Sequence, residues 1–279
     1  MRLLFAILAL GQLAYTQTVE FSLLRDEELQ NRLNLATRVN KDRFDALARL
    51  FDQSGCTSTS VTVQPVKHAK TPNIICTLKG ASPDIILITA HYDMTGPGMR
   101  VVDNWTGATM LANLYAALSA VLRQHTIQFA GFTDEEVDLV GSRFFVSQAG
   151  KGALAQIKAV INIDSIGMGP VSVWSTRADP RLLYALRQIE TAMKLDLAWV
   201  SADQVGDTDS HPFMNKKVPV IDFHSLTQAT FPILHSARDQ QAAIHFEDYS
   251  ATYRALAAYI AFLDLQLETI LARKVKIGK

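Results

Sequence analysis

Residues 84–107 read DIILITAHYDMTGPGMRVVDNWTG. Ile85 to Ile88 is an apolar, β-branched run, too short for a helix and bounded by polar and proline-rich sequence. That is the pattern of a strand buried on both faces. The run ends in Thr89-Ala90-His91-Tyr92-Asp93, followed by a Gly/Pro loop, Asp103-Asn104, and a Thr-Gly pair that opens a helix. A buried strand has no structural need for His and Asp at its C-terminal tip. In an open α/β sheet, however, that tip is where ligands bind. The stretch reads as half of a metal site.

The same pattern recurs along the chain. Residues 126–132 form a second short apolar run, which ends in Thr133-Asp134-Glu135-Glu136. Residues 160–163 form a third, ending in Asp164-Ser165-Ile166-Gly167, and 171–175 and 218–223 read as further strands. Between them, helical spacing of apolar residues predicts helices over 106–123, 139–149 (with Gly150 as the stop), 181–193 and 247–271. Upstream, 25–51 reads as one helix, and 60–66 and 73–79 as two strand-like runs around a turn. Strands alternating with helices imply an α/β fold, a three-layer α/β/α sandwich with a mostly parallel central sheet.

The 279 residues are 48% hydrophobic, and Lys+Arg 27 balances Asp+Glu 27. That suffices for one domain with a large core. Zero net charge argues against nucleic acid or an anionic membrane as partner. Residues 1–16 have the outline of a secretory signal peptide: one basic residue, a short apolar core over 3–10, then small and polar residues. A buried N-terminal helix is the alternative. The expectation is a signal over 1–16, a single domain over 17–279, and a secreted or periplasmic protein with no membrane anchor. Export would let a disulfide persist. Cys56 precedes the first of the two adjacent strand-like runs and Cys76 lies in the second, so a Cys56–Cys76 bridge is expected, with two buried free cysteines as the alternative.

Three buried strands thus deliver acidic residues or histidine at the same end: His91 and Asp93, Glu135 and Glu136, and Asp164, with Asp103 in the loop after the first. In a parallel sheet those ends share one edge. Carboxylates converging there would repel, and a divalent cation removes that cost. Carboxylates mixed with imidazole suit zinc rather than calcium or magnesium.

The segments HYD at 91–93, DNWTG at 103–107, TDEEVDLVGS at 133–142, NIDSIG at 162–167, TDSHPF at 208–213 and LHSARD at 234–239 together resemble the M28 zinc peptidases, from about residue 73 onwards. The resemblance implies an aminopeptidase with two zinc ions per chain, acting on peptide substrates. It makes Asp103 the ligand shared by both ions, with a cis peptide before Asn104. His91 and Asp164 would complete one zinc position, Glu136 and His235 the other. Glu135 would be the general base toward a metal-bridging water, and Asp93 would hold the other ring nitrogen of His91. Three positions depart from the family pattern: Leu234 stands where well-known members have an oxyanion-stabilising Tyr, Asp138 where a Gly is usual, and Asp209-Ser210-His211 where Ser-Asp-His is commoner. Asp209, His211 and His224 are candidates for the substrate pocket; a loop packed beside the site, or a core histidine, is the alternative. Asp239 either orients His235 or is a surface charge. His68, His125 and His245 are expected at the surface. Two other functions remain open: a glutaminyl cyclase, which shares the fold and uses one zinc, and a non-catalytic binding domain. The resemblance leaves the oligomeric state open.

Overall fold

The computed structural model describes residues 2–8, 16–201 and 206–274. Strands β1 (Arg2–Leu8) and β2 (Thr16–Ser22) pair antiparallel in a small sheet of their own. Residue 1 and residues 9–15 of the expected signal segment lie outside the described residues. Seven strands make the central sheet: β3 (Val61–Gln64), β4 (Asn73–Leu78), β5 (Ser82–His91), β6 (His125–Phe132), β7 (Ile157–Ile163), β8 (Ser172–Val173) and β9 (Val220–His224), in the order β3-β4-β6-β5-β7-β9-β8. The four central strands β6, β5, β7 and β9 are parallel, and antiparallel strands close both flanks.

The period of two along β5 sorts its side chains between two cores. Ile86, Ile88 and Ala90 face the larger one, built with α3 (Thr106–Ser119), α5 (Pro180–Met193) and α7 (Phe246–Leu271). Leu87 faces the smaller one, with Val146 of α4 (Val140–Gln156) and Phe213 of the short α6 (His211–Met214). Each buried Ile or Leu contributes roughly 1.5–3 kcal/mol, so a one-residue slip of β5 would invert both cores at once. The layers are the α/β/α sandwich expected. Among the described residues, no helix is long and apolar enough to cross a membrane.

Local differences from the sequence reading have physical causes. The helix expected over 25–51 is two, α1 (Asp26–Leu33) and α2 (Asn40–Gln53). Asn34, Thr37 and Asn40 favour caps and turns over helix interiors, and Asn40 turns its side chain to the backbone of Met94 instead. The break also lets the buried Arg43 guanidinium donate to the carbonyls of Thr37, Tyr92, Met99 and Arg100, tying the helix to the loop after β5. Gly150 interrupts the helix as expected: it takes φ 63° and ψ 173°, so α4 is two helical segments meeting at a kink, the second running on to Gln156. The strand expected over 171–175 is only two residues long and lies at the sheet's edge. His125 is buried rather than exposed, at the start of β6, with Nδ1 3.0 Å from the Asp264 carbonyl. Cys56 and Cys76 are joined by a disulfide between the end of α2's loop and β4.

Candidate metal centre

Strand register puts the candidate residues on one edge. His91 of β5 stands opposite Phe132 of β6, and Thr89 opposite Asn162 of β7. The residues that follow those tips, Glu135 and Glu136 on one side and Asp164 on the other, therefore emerge beside His91.

Asp103 is delivered by a loop pinned from two sides. The Asp103–Asn104 peptide is cis. The Asn104 side chain donates to the Ile163 carbonyl at 2.9 Å and accepts from the backbone N–H of Gly107 and Ser165 at 2.9 and 3.2 Å. Gly107 is required there: a Cβ would fall 2.4 Å from Asn104 Oδ1 and 2.5 Å from the Ile163 carbonyl oxygen. From the far side, the buried Asp239 carboxylate accepts from the N–H of Val102 at 2.7 Å and of Asp103 at 3.1 Å. Asp239 therefore neither orients His235 directly nor sits at the surface; it hangs the loop that carries Asp103.

Asp93 has two partners. Its Oδ1 lies 3.4 Å from His91 Nδ1, an ion-pair distance, and its carboxylate accepts from the N–H groups of Glu135 (3.0 Å) and Glu136 (3.4 Å). One buried carboxylate thus braces both the imidazole and the short turn Glu135–Val137. His235, which follows the turn Phe231–Ile233, is exposed and takes φ 55°.

Two donor sets result, sharing Asp103. In each of His91–Asp103–Asp164 and Asp103–Glu136–His235, one ligand atom per residue lies within 4.8 Å of the others. Asp103 divides its oxygens: Oδ1 is 3.2 Å from His91 Nε2, and Oδ2 is 3.0 Å from His235 Nε2. Glu135 Oε2 stands 3.8 Å from His91 Nε2, beside the first set. Arg100, two per cent exposed, completes the cluster, with Nη1 2.9 Å from Asp103 Oδ2 and Nη2 3.2 Å from Glu136 Oε1.

The electrostatics are those of a site built for a cation. Burial disfavours the Asp103 carboxylate, yet the His235 and His91 imidazoles at its two oxygens and the Arg100 guanidinium hold it far below the usual carboxylate range. Burial, with Asp209, Asp164 and Asp103 nearby, pushes Glu135 well up against the opposing pull of His91. Burial alone would depress His91, but Glu135 and the carboxylates at its ring nitrogens raise it well above its ordinary value. Both His91 ring nitrogens are buried and neither makes a hydrogen bond of good geometry. Such orphaned atoms cost about 1–3 kcal/mol each when nothing satisfies them. His91 Nε2, facing the carboxylates of Asp103, Glu135 and Asp164 without bonding them, fits a divalent ion such as zinc between them.

A cleft opens over this edge, with Glu135, Asp164 and His235 at its polar end and Trp174, Phe223, Leu226 and Leu234 among its walls. His224 lines it from the tip of β9, its ring placed by the Leu226 N–H at Nδ1 and the Val200 carbonyl at Nε2. His211 does not: its Nδ1 turns to Asp207 at 2.6 Å. Asp209 is not among the cleft residues either. It is buried behind them with neither oxygen hydrogen-bonded, and burial raises it to about 7. Spacing gives no sign of Arg100, Asp239 or the double role of Asp93, because each acts through a loop whose path tertiary contacts set.

The family model for peptidase family M28 matches residues 73–260. Aminopeptidase YwaD of Bacillus subtilis is 26% identical over 188 residues, covering 65% of this chain and 40% of that protein. The chain thus spans well under half the length of that relative. The zinc aminopeptidase BSAP of Bacillus subtilis superposes with a TM-score of 0.62 at 23% identity, over 68% of this chain and 49% of that one. An Acidobacteriales bacterium glutaminyl cyclase superposes at 0.74 and 17% identity, over 92% of this chain and all of that one. These two likenesses bear on the fold. The family match takes in more than half of the chain and every residue of both donor sets, and the chain belongs to peptidase family M28.

Proposed function

We propose that the protein is an exported zinc-dependent exopeptidase, an aminopeptidase that removes N-terminal residues from peptides. The observation that carries this reading is the pair of donor sets sharing Asp103, with Glu135 beside His91 of the first. His91, Asp103 and Asp164 would hold one zinc ion, and Asp103, Glu136 and His235 a second. Zinc bound there supplies Lewis acidity toward the scissile carbonyl and lowers the pKa of water toward neutrality.

The chain's own residues supply the proton transfers. Glu135 lies in the cleft, where its carboxylate can take a proton from the attacking water. As the C–N bond breaks, the same carboxylic acid gives that proton to the departing amine. Asp93 keeps Glu135 aimed by accepting from its N–H while flanking His91. Trp174, Phe223, Leu226 and Leu234 present an apolar wall to the substrate. Leu234 offers no hydroxyl, so stabilisation of the oxyanion falls to other groups of the site.

Export is supported by the pattern of residues 1–16 and by the Cys56–Cys76 disulfide, which persists in oxidising compartments. Glu135→Gln tests the mechanism. The variant is expected to retain the zinc content of the wild type and lose about 10²–10⁴-fold in kcat; undiminished turnover would rule Glu135 out as the base. Digestion of a mixed peptide pool, read by mass spectrometry, tests the reaction, and N-terminal shortening is the expected result. The full-length superposition on a cyclase keeps a second reading in view: loss of ammonia from peptides with N-terminal Gln, with one zinc per chain, would favour it.

A further inference from the structure

The two ends of the parallel strands carry opposite charge. Asp93, Asp103, Glu135, Glu136 and Asp164 gather where the strands finish. Where they begin, a groove runs between the last turns of α4, the first turn of α5 and the approach to β9. Lys151, Lys158, Arg181, Lys216 and Lys217 line it, with no acidic residue among its walls. β7 joins the two ends: it starts at the groove with Ile157 and runs seven residues to Ile163, next to Asp164. The groove and the metal edge are therefore about 20 Å apart. The zero net charge of the whole chain conceals this segregation. Two of the five cations are already engaged. Lys158 faces Asp84 at 3.4 Å, and Arg181 is held by Asp179 at 2.7 Å and by the Leu271 carbonyl at 3.1 Å. Lys151, Lys216 and Lys217 are exposed and make no ion pair among the described residues. The turn that carries the last two is closed by the N–H of Lys216 on the Phe213 carbonyl and that of Lys217 on the Met214 carbonyl, both at 2.9 Å, so the backbone fixes where they stand.

The cations rim an apolar floor that includes Leu154, Val218 and Leu271. From Leu271 the sequence goes on as ARKVKIGK (272–279), in which four basic residues are interleaved with Val275 and Ile277. We propose that this end of the molecule docks on a membrane surface rich in anionic lipid headgroups. The three unengaged lysines meet the headgroup phosphates, and the apolar floor meets the boundary where the acyl chains begin. An acidic polysaccharide would use the lysines but has no call on the floor, so lipid fits the groove better. Attachment of this kind is peripheral, reversible and weakened by salt. It also orients the protein, because groove and cleft lie at opposite ends of the strands: the docked molecule turns its cleft away from the lipid.

Co-sedimentation of the full chain with vesicles tests the proposal. Vesicles of phosphatidylcholine alone are compared with vesicles in which about a third of the lipid is phosphatidylglycerol, at low and at physiological salt. The wild type is expected to prefer the anionic vesicles, and the preference should shrink as salt rises. The triple variant Lys151→Ala/Lys216→Ala/Lys217→Ala should bind them about a hundredfold more weakly, at roughly fivefold for each lysine near the surface. Both proteins carry the same apolar residues 3–10, so the difference between them reports the groove alone. Equal binding to the two kinds of vesicle, a preference indifferent to salt, or a triple variant that binds like the wild type would overturn the proposal. So would a wild type that binds soluble dextran sulfate through these lysines and shows no preference between the vesicles. Should the triple variant not fold, the single exposed change Lys216→Ala decides: a loss near fivefold supports the docking surface, and no loss rejects it.

Discussion

Replacing Asp239 by Ala should loosen the loop that delivers Asp103. The carboxylate is fully buried and accepts from two backbone N–H groups, those of Val102 and Asp103. Both residues are buried, so truncation would strand two donors, at about 1–3 kcal/mol each. Part of that loss is offset, because burial raises the Asp239 carboxyl to about 6 and removing it relieves an unfavourable charge. The net expectation is about 2–4 kcal/mol of stability. For a chain of this size that is a fall in Tm of roughly 5–10 °C. Differential scanning calorimetry of the metal-free protein measures it, with Glu27→Ala, an exposed surface carboxylate, expected to stay within about 0.5 kcal/mol. The zinc content that the two proteins reach after reloading should fall in the variant as well, since Asp103 belongs to both donor sets. An Asp239→Ala protein that melts with the wild type and keeps its zinc would refute the reasoning.

Two further outcomes follow from buried features. Asp209, raised by burial to about 7, holds its proton in the folded, metal-free chain over a range where the unfolded chain, with an ordinary carboxyl near roughly 3.9, has released it. Stability of the metal-free protein should therefore fall as pH rises from about 4 to about 7, and Asp209→Asn should flatten that slope; parallel urea midpoints for the two proteins across the window would reject this. Reducing the Cys56–Cys76 disulfide, which spans 20 residues, should cost about 2–4 kcal/mol, and a melting curve unaffected by reductant would show the bridge to be dispensable.

The sheet and the metal edge were legible because both follow from short-range signals. Runs such as Ile85–Ile88, apolar throughout rather than alternating, mark strands covered on two sides, and polar residues directly after three such runs mark a shared edge. What the sequence leaves out depends on where loops travel. Asp239 follows His235 by four residues, a spacing that suggests one helical turn, yet residues 231–239 are largely turn, and the carboxylate reaches across to Val102 and Asp103. His125 looks like a turn histidine beside Gln124, and only the packing of α7 against the start of β6 brings Asp264 to its ring. The break between α1 and α2 was hidden because Asn34, Thr37 and Asn40 are each tolerable in a helix. Their preference for other partners appears only once Met94 and Arg43 are close by.

The placement of Asp93 and Asp239 explains how so acidic an edge is held in position. Each spends its charge on backbone N–H groups of a segment that carries a candidate ligand: Asp93 on Glu135 and Glu136, Asp239 on Val102 and Asp103. Charge-assisted bonds of this kind are about twice as strong as neutral ones, so these two carboxylates fix geometry without needing a metal. Asp103 and Asp164 are left to line the cleft, and with Glu136 they face the imidazoles. Arg100 offsets one side of that cluster, but His91 on the other side still meets three carboxylates with no hydrogen bond made. That asymmetry follows from where the loop after β5 places a single guanidinium.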